Sequence, residues 1–415
     1  MSGQDERPAR TPTVVLLGTL DTKGEEYAYL RDLLTARRCD VLTVDAGVLG
    51  EPRWRADVPA DEVARAAGHE LQELRGLRDR GAAMESMAAG AARVVTRLRQ
   101  AGRVDAVMAA GGSNAAFLMS AVCAELPVGM PKLLVSTITA GDTRPYVGQS
   151  DLTLMYPVVD LGGLNRVSRL VLANAADACA GMAHGPRETT AADRHTVAIS
   201  MFGVTTACGT TVRELITAAG AEALTFHATG VGGASMEALI RSGHVQAVAD
   251  MTTTELADDL LGGVCSAGPG RLTAAAEHGV PQVVSLGALD MVNFGPPSTV
   301  PAAHGGRLLH RHNPMVTLMR TSAEECAELG RQLAVKLNRA TGPSAVLIPT
   351  RGFSQISTPG QVFHDPQADA ALIDALTASL GPHVYVRRFN THINDPRLAA
   401  AAARILIDWL KAGAS

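Results

Sequence analysis

TVVLLGTLDTKGEEYAYLRDLL (residues 13–34) decides the fold class. TVVLLG is a short apolar, β-branched run of the kind that forms a buried strand, and Gly18 ends it. From Glu25 to Arg38 the apolar residues Tyr27, Leu30, Leu33 and Leu34 recur near helical spacing. A strand, a glycine turn and a helix start make a corner whose free N–H groups suit an anion. The corner contains neither GxGxxG nor GxxxxGK[ST], so neither the dinucleotide nor the P-loop mechanism is encoded here. Local capping is the plainer account: Asp21 or Thr22 as cap, with Glu25 three residues after Thr22 closing a capping box.

The pattern repeats downstream. VLTVDAG (41–47), VDAVMAAGG (104–112), KLLVSTI (132–138) and LTLMYPVVD (152–160) read as strands. Helical stretches lie between them, including 61–80, the face marked by Met84, Met87, Ala91, Val94, Val95 and Leu98, and 164–182. After HGPRETTAADR (184–194) the alternation restarts with HTVAISMFG, AEALTFHATG, VQAVADMTTT, PQVVSLGALDM, SAVLIPTRG and HVYVRRFN. Alternation of this kind predicts α/β architecture: two domains, each a mostly parallel Rossmann-like sheet flanked by helices. The expected boundaries are 1–183 for a nucleotide-binding domain, 184–194 for a linker and 195–415 for a domain with the substrate site. GTLDTKGEEYAYLRDLL and GVTTACGTTVRELI echo each other weakly, which shared α/β design explains as readily as duplication.

Bulk properties narrow the function. Hydrophobic residues make up 47% of 415 and aromatics 3%, so the cores are built from Ala, Val, Leu and Met. A formal net charge of −4 argues against sequence-independent binding to nucleic acid, and so few aromatics argue against a base-stacking surface. Six cysteines form no CxxC pair, which fits reduced thiols in a cytoplasmic protein. The polar start MSGQDERPARTP has no apolar signal core, and no run is long enough for a membrane span.

Three segments follow strands in the first half, where open α/β sheets bind ligands. The first supplies Gly18, Thr19, Asp21, Thr22 and Lys23. The second, AAGGSNAAF (109–117), supplies Gly111, Gly112, Ser113 and Asn114; its two glycines let a backbone approach a ligand closely. The third, STITAGDTRPYVGQSD (136–151), gathers Thr137, Gly141, Asp142, Thr143, Arg144 and Asp151. Its hydroxyls, cation and two carboxylates can hold a phosphate and Mg²⁺, with Asp142 and Asp151 as the metal ligands.

In the second half, FHATGVGGASMEALI (226–240) sets His227 before three glycines and a helix start, suiting anion binding or acid–base work; Ser235 as a helix cap is the plainer reading. Asp250 ends a strand ahead of Thr252-x-x-Glu255, another apparent capping box. SAGPGRL (266–272) offers Arg271 as a carboxylate or phosphate clamp, or else a surface turn. His304, His310, His312 and His392, with Asp250 or Asp290, could bind a metal, although no sharp ligand spacing exists. Cys208 and Cys265 lie in Gly/Thr/Ser-rich corners where a nucleophile could sit. His227, Asp250 and His312 are the candidates for handling protons.

Taken in order, GTLDTKGEE, GGSN, STITAGDTRPYVGQSDLTLMYPVVDLGGLNR, MFGVTT, FHATGVGGASME, GALDMVNF, HNPMVTLMRT and HINDP resemble the ATP-binding family named after the tomato mosaic virus resistance protein. The resemblance runs from about Thr13 to Leu410. It implies two α/β domains, ATP with Mg²⁺ in the first, and homo-oligomerisation. It departs at 113–116, where SNAA replaces a Gly/Thr-rich loop. The reading that follows is an ATP-binding enzyme acting on a small carboxylated metabolite, at a site between domains or subunits. A metal-dependent hydrolase or C–C lyase without ATP, and a nucleotide-sensing interaction protein, stand as alternatives.

Overall fold

The computed structural model describes residues 10–185 and 194–413. The chain divides into two compact units, Met1–Glu188 and Thr189–Ser415. Most of the segment read as a linker, 186–193, lies outside the described residues.

Unit 1 runs β1 (Thr13–Gly18), α1 (Leu20–Ala36), β2 (Asp40–Asp45), α2 (Ala60–Ala67), α3 (Leu71–Gly76), α4 (Arg80–Gln100), β3 (Ala106–Gly111), α5 (Ser113–Ala124), β4 (Lys132–Ser136), α6 (Arg144–Val147), β5 (Thr153–Met155) and α7 (Arg166–His184). Its five strands are all parallel, in the order β2-β1-β3-β4-β5. Alternation along each strand decides which face a side chain serves. Val15, Leu17, Val107 and Ala109 enter the core under α4 and α5, while Val14, Leu16, Ala106 and Met108 enter the core under α1 and α7. Both faces are covered, which is why the strands read as continuous apolar runs.

Unit 2 runs β6 (Thr196–Met201), α8 (Thr206–Ala218), β7 (Glu222–His227), α9 (Val231–Arg241), β8 (Ala247–Thr252), α10 (Glu255–Leu261), α11 (Ala274–Glu277), β9 (Gln282–Gly287), β10 (Met291–Phe294), β11 (Leu309–Asn313), β12 (Val316–Arg320), α12 (Ala323–Leu337), β13 (Ser344–Pro349), α13 (Pro366–Ser379), β14 (Val384–Phe389) and α14 (Pro396–Gly413). Six parallel strands follow the order β7-β6-β8-β9-β13-β14, the same winding as unit 1 with one strand added. The GTLD and GVTT corners therefore hold equivalent places, each after the first strand of its sheet.

Several elements differ from the sequence reading. The 61–80 stretch is broken into α2 and α3, because Gly68 turns left-handed at φ 91° and ends α2. Only Thr153–Met155 of LTLMYPVVD pairs, as the edge strand. PQVVSLGALDM stops at Gly287, and Ala288 takes φ 57°. The chain then enters an antiparallel sheet, β10-β12-β11, that the alternation gave no sign of. Among the described residues no helix is long and apolar enough to cross a membrane.

Candidate functional site

In a sheet ordered β2-β1-β3-β4-β5, the connections leave to opposite sides between β1 and β3, and the crevice outside their carboxyl ends is where ligands bind. Here that crevice has a built floor. Tyr27 is fully buried; its hydroxyl accepts from Ala110 N–H (2.9 Å) and donates to the carbonyl of Leu17, bridging β3 and β1. Burial drives its pKa well above the usual phenol range, so it serves as a neutral hydrogen-bonding strut. Gly18 is obligatory beside it, since a Cβ there would lie 2.0 Å from the Tyr27 ring. We expect Tyr27→Phe to cost unit 1 about 1–3 kcal/mol, the penalty for stranding a buried N–H. Urea unfolding in a Trp409→Phe background, where only Trp54 of unit 1 reports, measures it.

The α1 corner is not the capping box its sequence suggests. The helix starts at Leu20, and the Thr19 hydroxyl at its cap pairs with that of Thr22 (2.8 Å) instead of accepting from the helix N–H groups; Lys23 is locally non-helical. The acceptor comes from another strand: Asp45, at the end of β2, accepts from Leu20 N and Gly47 N, both at 2.9 Å. Burial raises the Asp45 pKa, and the two N–H bonds oppose that rise. Asp21 leans the same way, its Oδ2 accepting from Leu49 N (2.7 Å) and Gly50 N (3.2 Å), while its buried Oδ1 has no partner. Lys23 points elsewhere, donating to the Leu161 carbonyl.

The α5 corner is open. Gly112 caps the helix without any side-chain bond, and Ser113 and Asn114 are exposed as its first two residues. The first N–H groups of such a helix have no partner within it. Ser136 Oγ donates to the Gly112 carbonyl (3.2 Å), joining the β4 corner to this one. A cleft with about 330 Å³ of empty space, open to solvent, is lined by Thr19, Asp21, Thr22, Val48, Leu49, Arg80, Met84 and Asn114. The structure thus brings the GTLD and GGSN corners to one cleft and puts the start of the TITAG turn, after Ser136, alongside.

The rest of the third segment lies apart. Asp142 is exposed and forks onto Arg144, whose hydrogen bonds hold its carboxyl down at about 2. Asp151 accepts from Lys132 Nζ and Gly129 N at the amino end of β4, whereas Asp142 follows the carboxyl end. Their separation along the strand, and their internal partners, leave no shared Mg²⁺ position for this pair. Among the described residues no three His, Cys, Asp or Glu side chains converge as metal ligands. Arg80, Val48 and Leu49 went unnoticed in the sequence, and Met84 reads there only as part of a helix face; nothing in their local pattern signals that α4 and the loop after β2 meet at this cleft.

In unit 2, the Gly-rich corner and the arginine clamp have both been filled internally. Glu255 Oε1 accepts from Gly230 N (2.7 Å) and Gly233 N (3.0 Å), so it neither boxes with Thr252 nor leaves these N–H groups free. Ser235 lies within α9, whose cap is Gly230. Arg271 is wholly buried, forking onto Asp250 and reaching Glu255 and Glu237 (3.3 Å). Glu237 also accepts from Leu272, Thr273 and Ala274 N–H.

Asp250 is 1% exposed and takes a further bond from Ser200 Oγ (2.6 Å), which makes it a structural anchor at the end of β8. His227 is exposed on β7, paired in register with Met201 of β6; His312 is exposed on β11, in the other sheet. Thus His227 and Asp250 flank β6 on neighbouring strands, and His312 belongs to neither. Asp290 is also sealed, bonded to Ser354 Oγ (2.7 Å). Burial pushes the Cys208 and Cys265 thiols up to about 12, unsuited to nucleophilic work at neutral pH. At the α8 corner the cap Thr205 makes no side-chain bond to the helix start, and Gly203 and Thr206 are exposed, but Asn394 Oδ1 accepts from Cys208 N (3.2 Å), so one first-turn N–H is filled from within. Asn394 ties it to the THIND loop, where His392 has a buried Nδ1 without a partner.

A protein from Clostridium tetani is 43% identical over 399 residues, spanning 96% of this chain and 99% of its own. One from Rhizobium meliloti is 44% identical over 391 residues, spanning 94% and 97%. The tomato ToMV resistance protein Tm-1(GCR237) is 37% identical over 415 residues, spanning 95% of this chain and 55% of the tomato protein. Among solved structures, Acinetobacter baumannii MurG matches 96% of this chain and 99% of its own at 12% identity with a TM-score of 0.24, too weak a likeness to argue from. The N-terminal domain model described as "Uncharacterised protein family (UPF0261)" matches residues 12–188 and its C-terminal counterpart matches 194–410, so the chain belongs to that family.

Proposed function

We propose that this protein is a nucleotide-dependent enzyme: unit 1 binds ATP at the β1/β3 crevice, and unit 2 takes a small carboxylated metabolite at the corresponding edge of its own sheet. The observation that carries the first part is the uncapped α5 N-terminus opening beside a cleft at the switch point of a parallel sheet. The residues fit a triphosphate in one respect: the α5 N–H groups, Ser113, Asn114 and Thr137 are donors, and Arg80 is a nearby cation. They do not fit a protein-held Mg²⁺ pair at Asp142 and Asp151, so Mg²⁺ would arrive on the phosphates, as it commonly does.

For unit 2, the exposed Gly203 and Thr206 at the start of α8 suit a carboxylate, with His227 one strand away as the group able to move a proton. Isothermal titration of the full chain with ATP and Mg²⁺ tests the first part: sub-millimolar binding is expected, and none at millimolar nucleotide overturns it. A screen of a metabolite pool with and without ATP tests the second: ATP-dependent loss of one carboxylic acid is expected. Binding with no metabolite altered would leave a nucleotide sensor instead of an enzyme.

A further inference from the structure

The cleft beside the α5 N-terminus has its own chemistry, and it is not that of a phosphate pocket. Val48, Leu49 and Met84 give it an apolar wall, with Leu49 54% exposed. Its acidic member is Asp21, whose Oδ2 is held by Leu49 N and Gly50 N and whose Oδ1 is buried with no donor. A buried carboxylate oxygen left unpaired is costly, and an O–H or N–H from a ligand would relieve it. Behind Asp21 lies Asp45, close enough that its charge helps to raise the Asp45 pKa.

Asp21 in the lining, with Asp45 behind it and Arg80 as the single cationic lining residue, disfavours a phosphate against this wall. The want of three converging ligands among the described residues disfavours a metal ion. In parallel nucleotide-binding sheets, a carboxylate near the end of the second strand commonly accepts from a ribose hydroxyl. Asp45 holds that position here, but it is committed to Leu20 and Gly47 N–H. Asp21 stands next to it with an oxygen to spare.

We infer that the cleft is the sugar subsite of the nucleotide site: Asp21 accepts from a ribose hydroxyl, and the Leu49–Met84 wall lies along the nucleoside. The phosphates then point past Asn114 to the start of α5. This inference rests on the nucleotide reading above and adds a selection for ribonucleotides over deoxyribonucleotides.

The test is titration of the full chain, with Mg²⁺, against ATP, 2′-deoxy-ATP, 3′-deoxy-ATP and inorganic tripolyphosphate. In the wild type, at least one deoxy analogue is expected to bind about tenfold or more weakly than ATP, the loss of one hydrogen bond to a charged acceptor. Asp21→Ala, which removes the acceptor that an asparagine would keep, is expected to bind ATP and that analogue alike, its thermal melt being checked against the wild type. ATP and both deoxy analogues binding within twofold of each other in the wild type would overturn the sugar assignment while leaving the nucleotide reading intact. So would discrimination that persists in Asp21→Ala. Failure of ATP and tripolyphosphate to bind at all would overturn both. The wild-type comparison needs no substitution, so it stands even if Asp21→Ala folds poorly.

Discussion

Replacing Arg271 with methionine unfolds unit 2 at neutral pH. Arg271 is the cation that Asp250, Glu255 and Glu237 share, and all four side chains are buried. Removing one partner of a buried ion pair typically costs about 3–5 kcal/mol, because the other charge stays buried and uncompensated. Three carboxylates depend on this one guanidinium, so the loss belongs at or above the top of that range. Set against a typical domain stability of about 5–15 kcal/mol, little margin is left.

The damage would also spread. Glu255 holds the Gly230 and Gly233 N–H groups, Asp250 holds Ser200, and Glu237 holds the start of α11. Losing Arg271 therefore loosens both strands that flank the switch point of unit 2. The chain has two tryptophans, Trp54 and Trp409, so a Trp54→Phe background lets Trp409 report on unit 2 alone during urea unfolding.

The pH dependence has a definite sign. Burial already raises the Glu255 pKa with Arg271 present. Without Arg271, the Glu255 carboxyl would rise further above its unfolded value of about 4. A carboxyl whose folded pKa is raised favours folding at low pH and loses that contribution as pH climbs through the folded value. The deficit of Arg271→Met relative to wild type should therefore shrink between pH 8 and pH 5.5. A deficit that is small, or independent of pH, would show that the cluster does not hold unit 2 together.

Arg271 also shows where sequence reading stops. The strands were legible because a parallel sheet covered on both faces needs continuous apolar runs; TVVLLG matches β1 residue for residue. The corners were legible as donors, since glycine turns and helix starts leave N–H groups open. What the sequence did not reveal is which corners the protein fills for itself. The acceptors come from far along the chain: Asp45 lies 25 residues from Leu20, and Glu255 lies 25 residues from Gly230. A local pattern such as Thr22-x-x-Glu25 then looks like a cap although the true acceptor is on a neighbouring strand. The same blindness made Arg271 look like an open clamp and paired Asp142 with Asp151, close in sequence but at opposite ends of β4. Internal carboxylates occupy the α1 and α9 corners and the Asn394 amide oxygen takes one N–H of α8, while α5 starts without a side-chain cap.

That difference makes one substitution decisive for unit 1. Gly112 caps α5 at φ −87° and ψ −149°, and a Cβ there would meet nothing within 4 Å. Gly112→Asp is thus free of steric penalty, and its carboxylate would accept from the open N–H groups and lie favourably against the helix dipole. Those two gains are worth a few tenths to about 1 kcal/mol of stability, so the melting temperature of unit 1 should rise slightly. Nucleotide binding should move the other way. The substituted carboxylate would occupy the donors proposed for the phosphates and repel them, weakening ATP by about tenfold to a hundredfold, or roughly 1.4–2.8 kcal/mol. Gly112→Ala, which fits the same space but brings no acceptor, should leave affinity nearly unchanged. A general loss of structure would lower both stability and affinity, so only an occupied anion site yields a more stable protein that binds less. If Gly112→Asp melts higher and still binds ATP as tightly as the wild type, the phosphates do not sit at α5.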